Sequence, residues 1–558
     1  MFSGLLCDTI ILSKDVYHMN YFTIKSSIFL VPSSKCDEEF EKIDKFLKIL
    51  EKSGVGKLIN KISISNKSTF AGRKGYNPFN MFAMITYCFS EFKSTLREME
   101  QLCLFDLRVI YIMEQETPDH SVIGEFINCY IVPYQYEIFT MITKTIIEEL
   151  ALDISTQYLD GTKIEANANK YKFVWKPTTY HKKLDIKVKN YLLELGYKEY
   201  LNKKDMIKAY ELNLIIKDYV SNNNIDIYNI PSGRGTRKTK EQKNYKLGYE
   251  YMLKLLEYEE KEEICGENRN SYYKTDKDAT AMVLKEDYYS KSSHDFHAGY
   301  NIQVMVSSGL ITMYGVFQDR SDHYTFIPMN DLFFKYYNKY PENECADSGY
   351  GIYVNYKYMR KHNIGNYVKF QTWSGEADGK RPQLFYTFND GVLCLNTCIG
   401  EEVPFNYSHH QRNKNGKLYK FTGCNSCNYA YICKKNLKNK DLDYRLYELN
   451  TDYELLKEQA RKNLLSPKGI EIRINRSIQV EGTFGQLKQN MNYERIRRRG
   501  LEKVSCEIML MCLGRNIRKL FTTFDNKQIK SNFWNTPQKL KAEKMPFPKQ
   551  KKKKAARN

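Results

Sequence analysis

Three acids stand in contexts that suit them to chemistry: Asp160 in "YLDGTKIEA", Asp347 in "ADSGYG" and Glu481 in "QVEGTFGQLK". β-prone segments end at the first two, and the third lies early in a helical segment. Carboxylates from distant parts of the chain can therefore meet at one sheet edge. Hard divalent cations such as Mg2+ or Mn2+ are held by a few oxygen ligands of this kind, with room left for water and phosphate. Two such ions about 4 Å apart serve the attacking and leaving oxygens in phosphodiester chemistry. Taken singly, an Asp-Gly step is more often a turn than a site. Arginines follow the third acid in "RIRRRG". Arg495, Arg497, Arg498 and Arg499 lie within five positions beside the acids, which favours a phosphate clamp over a solvated helix face.

Other chemistry-bearing residues are weighed against plainer roles. "CNSCNYAYIC" sets Cys424, Cys427 and Cys433 at zinc-ligand spacing, with Cys394 or Cys398 as the fourth thiolate and His409 or His410 as substitutes. The alternative is a set of reduced thiols in a metal-free insertion. His294, His297 and His323 match no metal-site spacing, so ordinary hydrogen bonding is expected of them. Asp276 and Asp278 in "KTDKDAT" read as a loop or a cap. Trp175 in "YKFVWK" is expected in the core, anchoring the first strand, rather than stacked on a base.

The elements that must position these residues are legible in outline. Phe40, Ile43, Leu47 and Leu50 recur at helical spacing in residues 37–54 and stop at Gly54. Thr95 and Glu98 form a capping box, and Pro118 follows a Thr117 cap. Residues 37–150 thus read as a helical DNA-binding domain, after an ill-defined segment 1–36. A strand then carries Asp160 to its tip at an Asp-Gly turn. Residues 180–263 read as an inserted helical hairpin with a loose basic loop. Residues 294–317 form a β-hairpin turning at Ser-Gly, "NDLFFKYYNKY" is helical, and "ECADSGYG" is a strand ending at Asp347. A second insertion, 370–465, precedes a helical pair, and 526–558 is a basic tail.

Composition bounds the partners. Over 558 residues, 86 Lys and Arg against 66 Asp and Glu leave a formal charge of +20, which favours a polyanion, nucleic acid ahead of an anionic membrane. No stretch of about eighteen apolar residues is present, so no membrane span is expected. The opening "MFSGLLCDTIILSKD" has no basic leader, so no secretory signal is expected, and Met19 is an alternative start. Fourteen scattered cysteines suit a reducing cytoplasm.

The strings "DGTKIEANANKYKFVWK", "ADSGYG", "LLSPKGIE", "RSIQVEGTFGQLKQN" and "RRRGLEKVSCEIMLMCLGRNIRK" resemble, in order, the motifs of DDE transposases of bacterial insertion sequences, over residues 37–525. The resemblance implies a mixed, helix-rich α/β fold with a ribonuclease H-like core sheet flanked by helices, a helical N-terminal domain and two insertions. It implies that Asp160, Asp347 and Glu481 are catalytic and hold two Mg2+ or Mn2+ ions. Relatives place a Lys seven positions after the Glu, matched by Lys488, and an Arg four positions before it. Here Ser477 takes that place, with Arg476 one step earlier. The implied partners are double-stranded DNA, as terminal inverted repeats and target, and a second copy of the chain, at the nucleoid. The implied reaction is strand cleavage followed by strand transfer; a catalytically inactive DNA-binding relative and a nuclease without strand joining are the alternatives.

Overall fold

Helices make up every described element of the first 152 residues in a computed structural model, which describes residues 33–65, 75–91, 93, 95–231, 237–284, 296–377, 386–389, 392–395, 399–403, 416–427, 430–434, 441–487, 493 and 495–525. The described residues divide into two units, one within 33–152 with 510–525 and the other within 153–509. In the first unit, α1 (Ser33–Lys52) buries Ile43, Phe46 and Leu50 and gives way at Gly54, which has a φ of +78°. The helix starts earlier than the apolar stripe suggested. It is followed by α2 (Val55–Ser65) and α3 (Pro78–Ser90), which Asn77 caps and which is buried from Asn80 to Ser90. Thr95 and Glu98 cap α4 (Leu96–Phe105) reciprocally, as expected. Next come α5 (Leu107–Ile112), α6 (His120–Phe126) and α7 (Gln135–Glu149). Asp119 caps α6 by accepting from Ser121 and Val122, so the start falls beyond Pro118 and not at a Thr117 cap.

A mixed sheet forms the middle of the second unit. Its strands are β1 (Thr156–Glu165), β4 (Thr280–Val283), β5 (Phe296–Ser307), β6 (Leu310–Phe317), β7 (Asn343–Ala346) and β8 (Gly365–Asn366); β2 (Phe173–Trp175) and β3 (Ser271–Tyr273) make a separate ribbon. The order is β4-β5-β1-β7-β8, with β6 also on β5; β1 runs antiparallel to β5 and parallel to β7. Ser308 and Gly309, both at positive φ, turn the β5–β6 hairpin in the way two-residue hairpins favour. The expected Asp-Gly turn is absent, because β1 continues unbroken through Asp160 and Gly161. Gly161 lies opposite Gln303, whose amide stands 2.0 Å from where a Cβ would be. The glycine makes room for a side chain across the ladder.

The first insertion holds three helices where a hairpin was expected: α8 (Thr178–Glu194), α9 (Ala209–Asn222) and α10 (Lys240–Cys265). Leu184, Val188 and Leu192 of α8 share a core with Leu212, Ile216 and Leu255. Asp185 of α8 accepts from the Ile207 amide and so fixes the turn into α9. After α11 (Phe326–Tyr337) and α12 (Tyr353–Lys361), residues 386–449 supply a five-stranded antiparallel sheet, β9 (Tyr386–Asn389), β10 (Val392–Leu395), β11 (Ile399–Val403), β12 (Lys417–Thr422) and β13 (Tyr444–Leu449). This sheet falls within the expected insertion, residues 370–465. From there α13 (Thr451–Leu465) returns to α12, where Arg360 forks onto Asp452 at 2.8 and 3.0 Å. The chain ends its described part with α14 (Pro467–Arg476), a π turn at Ser477–Glu481, and α15 (Leu501–Asp525).

Candidate active site

Parallel pairing of β1 with β7 ends at Leu159 opposite Ala346. Asp160 and Asp347 occupy the next position of each strand, and adjacent parallel strands at matched register present side chains to the same face. Asp347 opens a single 3₁₀ turn, its carbonyl accepting from the Tyr350 amide. Its carboxylate is half exposed, with Lys369 Nζ 4.0 Å away. Asp160 is more enclosed and receives a 2.9 Å bond from Arg476 Nη2. Burial, above all, holds the Asp160 carboxyl above the usual carboxylate range; Arg476 and the Gly161 amide oppose that, while Asp347 and Asp322 add to it.

Asp322, in "RSDHYTF", is a further acid at this sheet. It accepts from Asn301 Nδ2 at 2.8 Å and Gln303 Nε2 at 3.2 Å, and Gln303 in turn accepts from Tyr350 Oη. A polar network thus runs beneath Asp160 from β5 to the turn after Asp347. No local signal marks Asp322, since its partners lie across the sheet.

Glu481 ends the π turn that continues α14, directly ahead of a short helix at Gly482–Gly485, and is exposed. Five residues of α-helix advance about 140° past a full turn at 3.6 residues per turn. A π turn instead closes its hydrogen bond from i to i+5. Arg476, five residues before Glu481, therefore lies nearer in rotation to Glu481 than an unbroken α-helix would put it. The buried Gln479 holds this segment to the sheet by accepting from the Gly309 amide at 3.0 Å. The three acids are not gathered as expected, however. Among the described residues, no group of three or more His, Cys, Asp or Glu side chains is placed to hold a metal ion. Asp160 and Asp347 nonetheless fit a divalent cation: both are hard oxygen donors on neighbouring strand ends, and the enclosed Asp160 carboxyl, held up chiefly by burial, is one whose charged form a cation would favour.

The arginine run is strapped down by acids and amides. Glu165 pairs with Arg495 at 3.7 Å and its carbonyl accepts from the Ile496 amide; the buried Glu507 carboxylate accepts from the amides of Arg497 and Arg498. Arg499 Nε donates to the Asn167 carbonyl at 2.8 Å, while the Arg497 side chain is exposed over the Tyr493 ring. Asp276 and Asp278 accept from the amides of Gly500 and Leu501, which makes them long-range caps of α15. His323 bonds Ser321, an ordinary partner, and His297 is buried in β5.

Lys488, His294, Cys398, His409 and His410 lie outside the described residues, as do the side chains of Cys394 and Cys433. Cys424 and Cys427 are partly buried beyond the end of β12, where Cys424 Sγ donates to the Phe421 carbonyl at 3.7 Å. Trp175 is a correction: it is 54% exposed and so is not a core anchor.

Residues 398–521 match a family model described as "Transposase DDE domain", a span well under half of the chain. The match takes in Glu481 and the arginines and leaves Asp160 and Asp347 outside it. Neither the curated proteins nor the solved structures contain a match to the chain.

Proposed function

We propose, taking the transposase DDE domain over residues 398–521 as the premise, that this chain is a DNA transposase that binds the terminal inverted repeats of an insertion sequence, cuts at their ends and joins them to target DNA. The observation that carries the reading is the adjacent placement of Asp160 and Asp347 on parallel strands, with Arg476 reaching Asp160 from the segment that leads to Glu481. The core is read as ribonuclease H-like. Asp160, Asp347 and Glu481 would hold Mg2+ or Mn2+, which supplies Lewis-acid activation of oxygen in phosphoryl transfer. Arg476 and Lys369 set positive charge beside the acids, where phosphate oxygens of a bound strand would meet it. Lys488 and the exposed Arg497 extend that charge along the DNA, with Arg495, Arg498 and Arg499 supporting the surface. The helical residues 37–150 serve recognition of the repeat, and the working form is a dimer or larger that brings two element ends together at the nucleoid. No helix is long and apolar enough to cross a membrane among the described residues. Zinc on Cys394, Cys424, Cys427 and Cys433 is a structural proposal for the second insertion, tested by metal content of the wild type against Cys424→Ser.

The deciding experiment gives the full chain a labelled duplex ending in the inverted repeat, with Mg2+ or Mn2+, alongside Asp160→Asn, Asp347→Asn and Glu481→Gln. Cleavage and joined product are expected from the wild type, with at least a thousandfold loss in each variant while duplex binding survives. Binding without cleavage by the wild type would mark a non-catalytic DNA-binding relative, and cleavage without joining would mark a nuclease.

A further inference from the structure

The β2–β3 ribbon follows β1 closely and, among the described strands, pairs only with itself, Phe173 opposite Tyr273 and Trp175 opposite Ser271. Its outer strand reads "KYKFVWK" from Lys170 to Lys176, with aromatic and basic residues interleaved. Phe173 and Trp175 are two residues apart, hence on one face, and they meet edge to face at 5.6 Å and 89°. Both are open to solvent, Phe173 at 44%, Trp175 at 54%, and the preceding Tyr171 reaches 82%. They are nonetheless held in place. The buried Tyr273 ring backs Phe173 at 6.3 Å, and the Arg320 guanidinium lies 5.9 Å from the Trp175 ring and donates to Ser271 Oγ. Lys170, Lys172 and Lys274 are exposed around the rings. Four residues back, Asn167 bonds the backbone of Arg497 and the side chain of Arg499.

Large aromatic surface left in water and rimmed by cations has a cost that a binding partner relieves. A protein partner is not favoured by a predominantly basic rim, Lys170, Lys172, Lys274 and Arg320, with the acid Glu257 near Lys274. An unpaired nucleic-acid strand is, because each base has a face to stack and each phosphate a charge to meet. We propose that Trp175, with Phe173 beside it, is a stacking platform for an unpaired DNA base, the adjoining lysines and arginines carrying the backbone. The inference rests on DNA being the substrate and adds which form of it is gripped here: a strand end opened out of the duplex.

Binding is measured without divalent metal, so that catalysis plays no part, using the full chain, a twenty-nucleotide oligo-dT and a blunt duplex of the same length. Trp175→Ala should weaken oligo-dT binding about tenfold and duplex binding less than about twofold, while Trp175→Phe keeps most of the affinity. Oligo-dT should also quench a component of tryptophan fluorescence that Trp175→Phe removes. Matching circular dichroism and melting of the three proteins show that the fold is kept. Oligo-dT affinity unchanged in Trp175→Ala, or an equal loss on both probes, would overturn the platform and leave the transposase reading standing. A change of oligomeric state in Trp175→Ala with unchanged oligo-dT affinity would overturn it in favour of a second copy of the chain. The expected pattern in a protein that binds but does not cleave DNA would keep the platform and remove the transposase.

Discussion

Arg476 supplies positive charge to a carboxylate whose surroundings favour neutrality. Burial and the nearby charges of Asp347 and Asp322 press Asp160 toward protonation, and the 2.9 Å bond from Arg476 resists them. A divalent cation bound by Asp160 would do the same work with more charge, so guanidinium and metal compete for the same oxygens. Arg476→Ala should cost about 2 kcal/mol of stability without metal, the value of a lost hydrogen bond to a charged group. At pH 8 Mg2+ should then raise the melting temperature of Arg476→Ala more than that of the wild type, and should leave Asp160→Asn nearly unmoved. Thermal melts with and without Mg2+ check this. Equal shifts in wild type and Arg476→Ala would mean that Arg476 and metal do not share Asp160.

The π turn and strand β7 carry expectations of their own at the scale of the element. If the turn at Ser477–Glu481 absorbs one extra residue, deleting Ser477 should convert it to ordinary helix, leave Arg476 four positions before the acid, and keep strand cleavage within about tenfold of wild type. Inserting an alanine after Ser477 should abolish cleavage. Retained cleavage after the insertion would sink the register argument. In β7, Glu344 is fully buried and accepts from Asn330 Nδ2 at 3.1 Å, and burial pushes its carboxyl up to about 8. The folded state thus keeps a proton that the unfolded chain, with an ordinary glutamate near 4.5, has lost. Stability from this group is whole below pH 4.5 and drains away as pH rises toward 8, by on the order of 5 kcal/mol. Glu344→Gln should flatten that decline and melt higher than wild type at pH 8, as a melting series from pH 5 to 8 would record. Much of this level was legible in the sequence: the Thr95–Glu98 box, the Ser308-Gly309 hairpin and the strand before Asp347 are all local signals. What was not legible depends on partners far along the chain. Gly161 is explained by Gln303 across the ladder, the caps of α15 come from Asp276 and Asp278, and the exposure of Trp175 follows from a ribbon that joins neither larger sheet among the described strands.

Charge decides the expectation at the scale of the whole molecule, because +20 spread over 558 residues attracts DNA of any sequence. Each phosphate neutralised by Lys or Arg releases counterions, so the logarithm of the binding constant should fall linearly with the logarithm of salt, by about 0.9 for every contact. With about six contacts, raising salt from 50 to 200 mM should weaken duplex binding on the order of a thousandfold. The arginine run tells which side chains contribute. Arg497 is exposed, and Arg497→Ala should lower the slope by about one. Arg495 faces the buried Glu165 at 3.7 Å, so Arg495→Ala should leave the slope alone and lower the melting temperature instead, since a buried carboxylate loses its cation. Fluorescence anisotropy titrations over that salt range, paired with thermal melts, separate the two roles. A slope reduced equally by both substitutions would mean that Arg495 leaves Glu165 for the phosphates when DNA arrives, making the strap a part of the clamp.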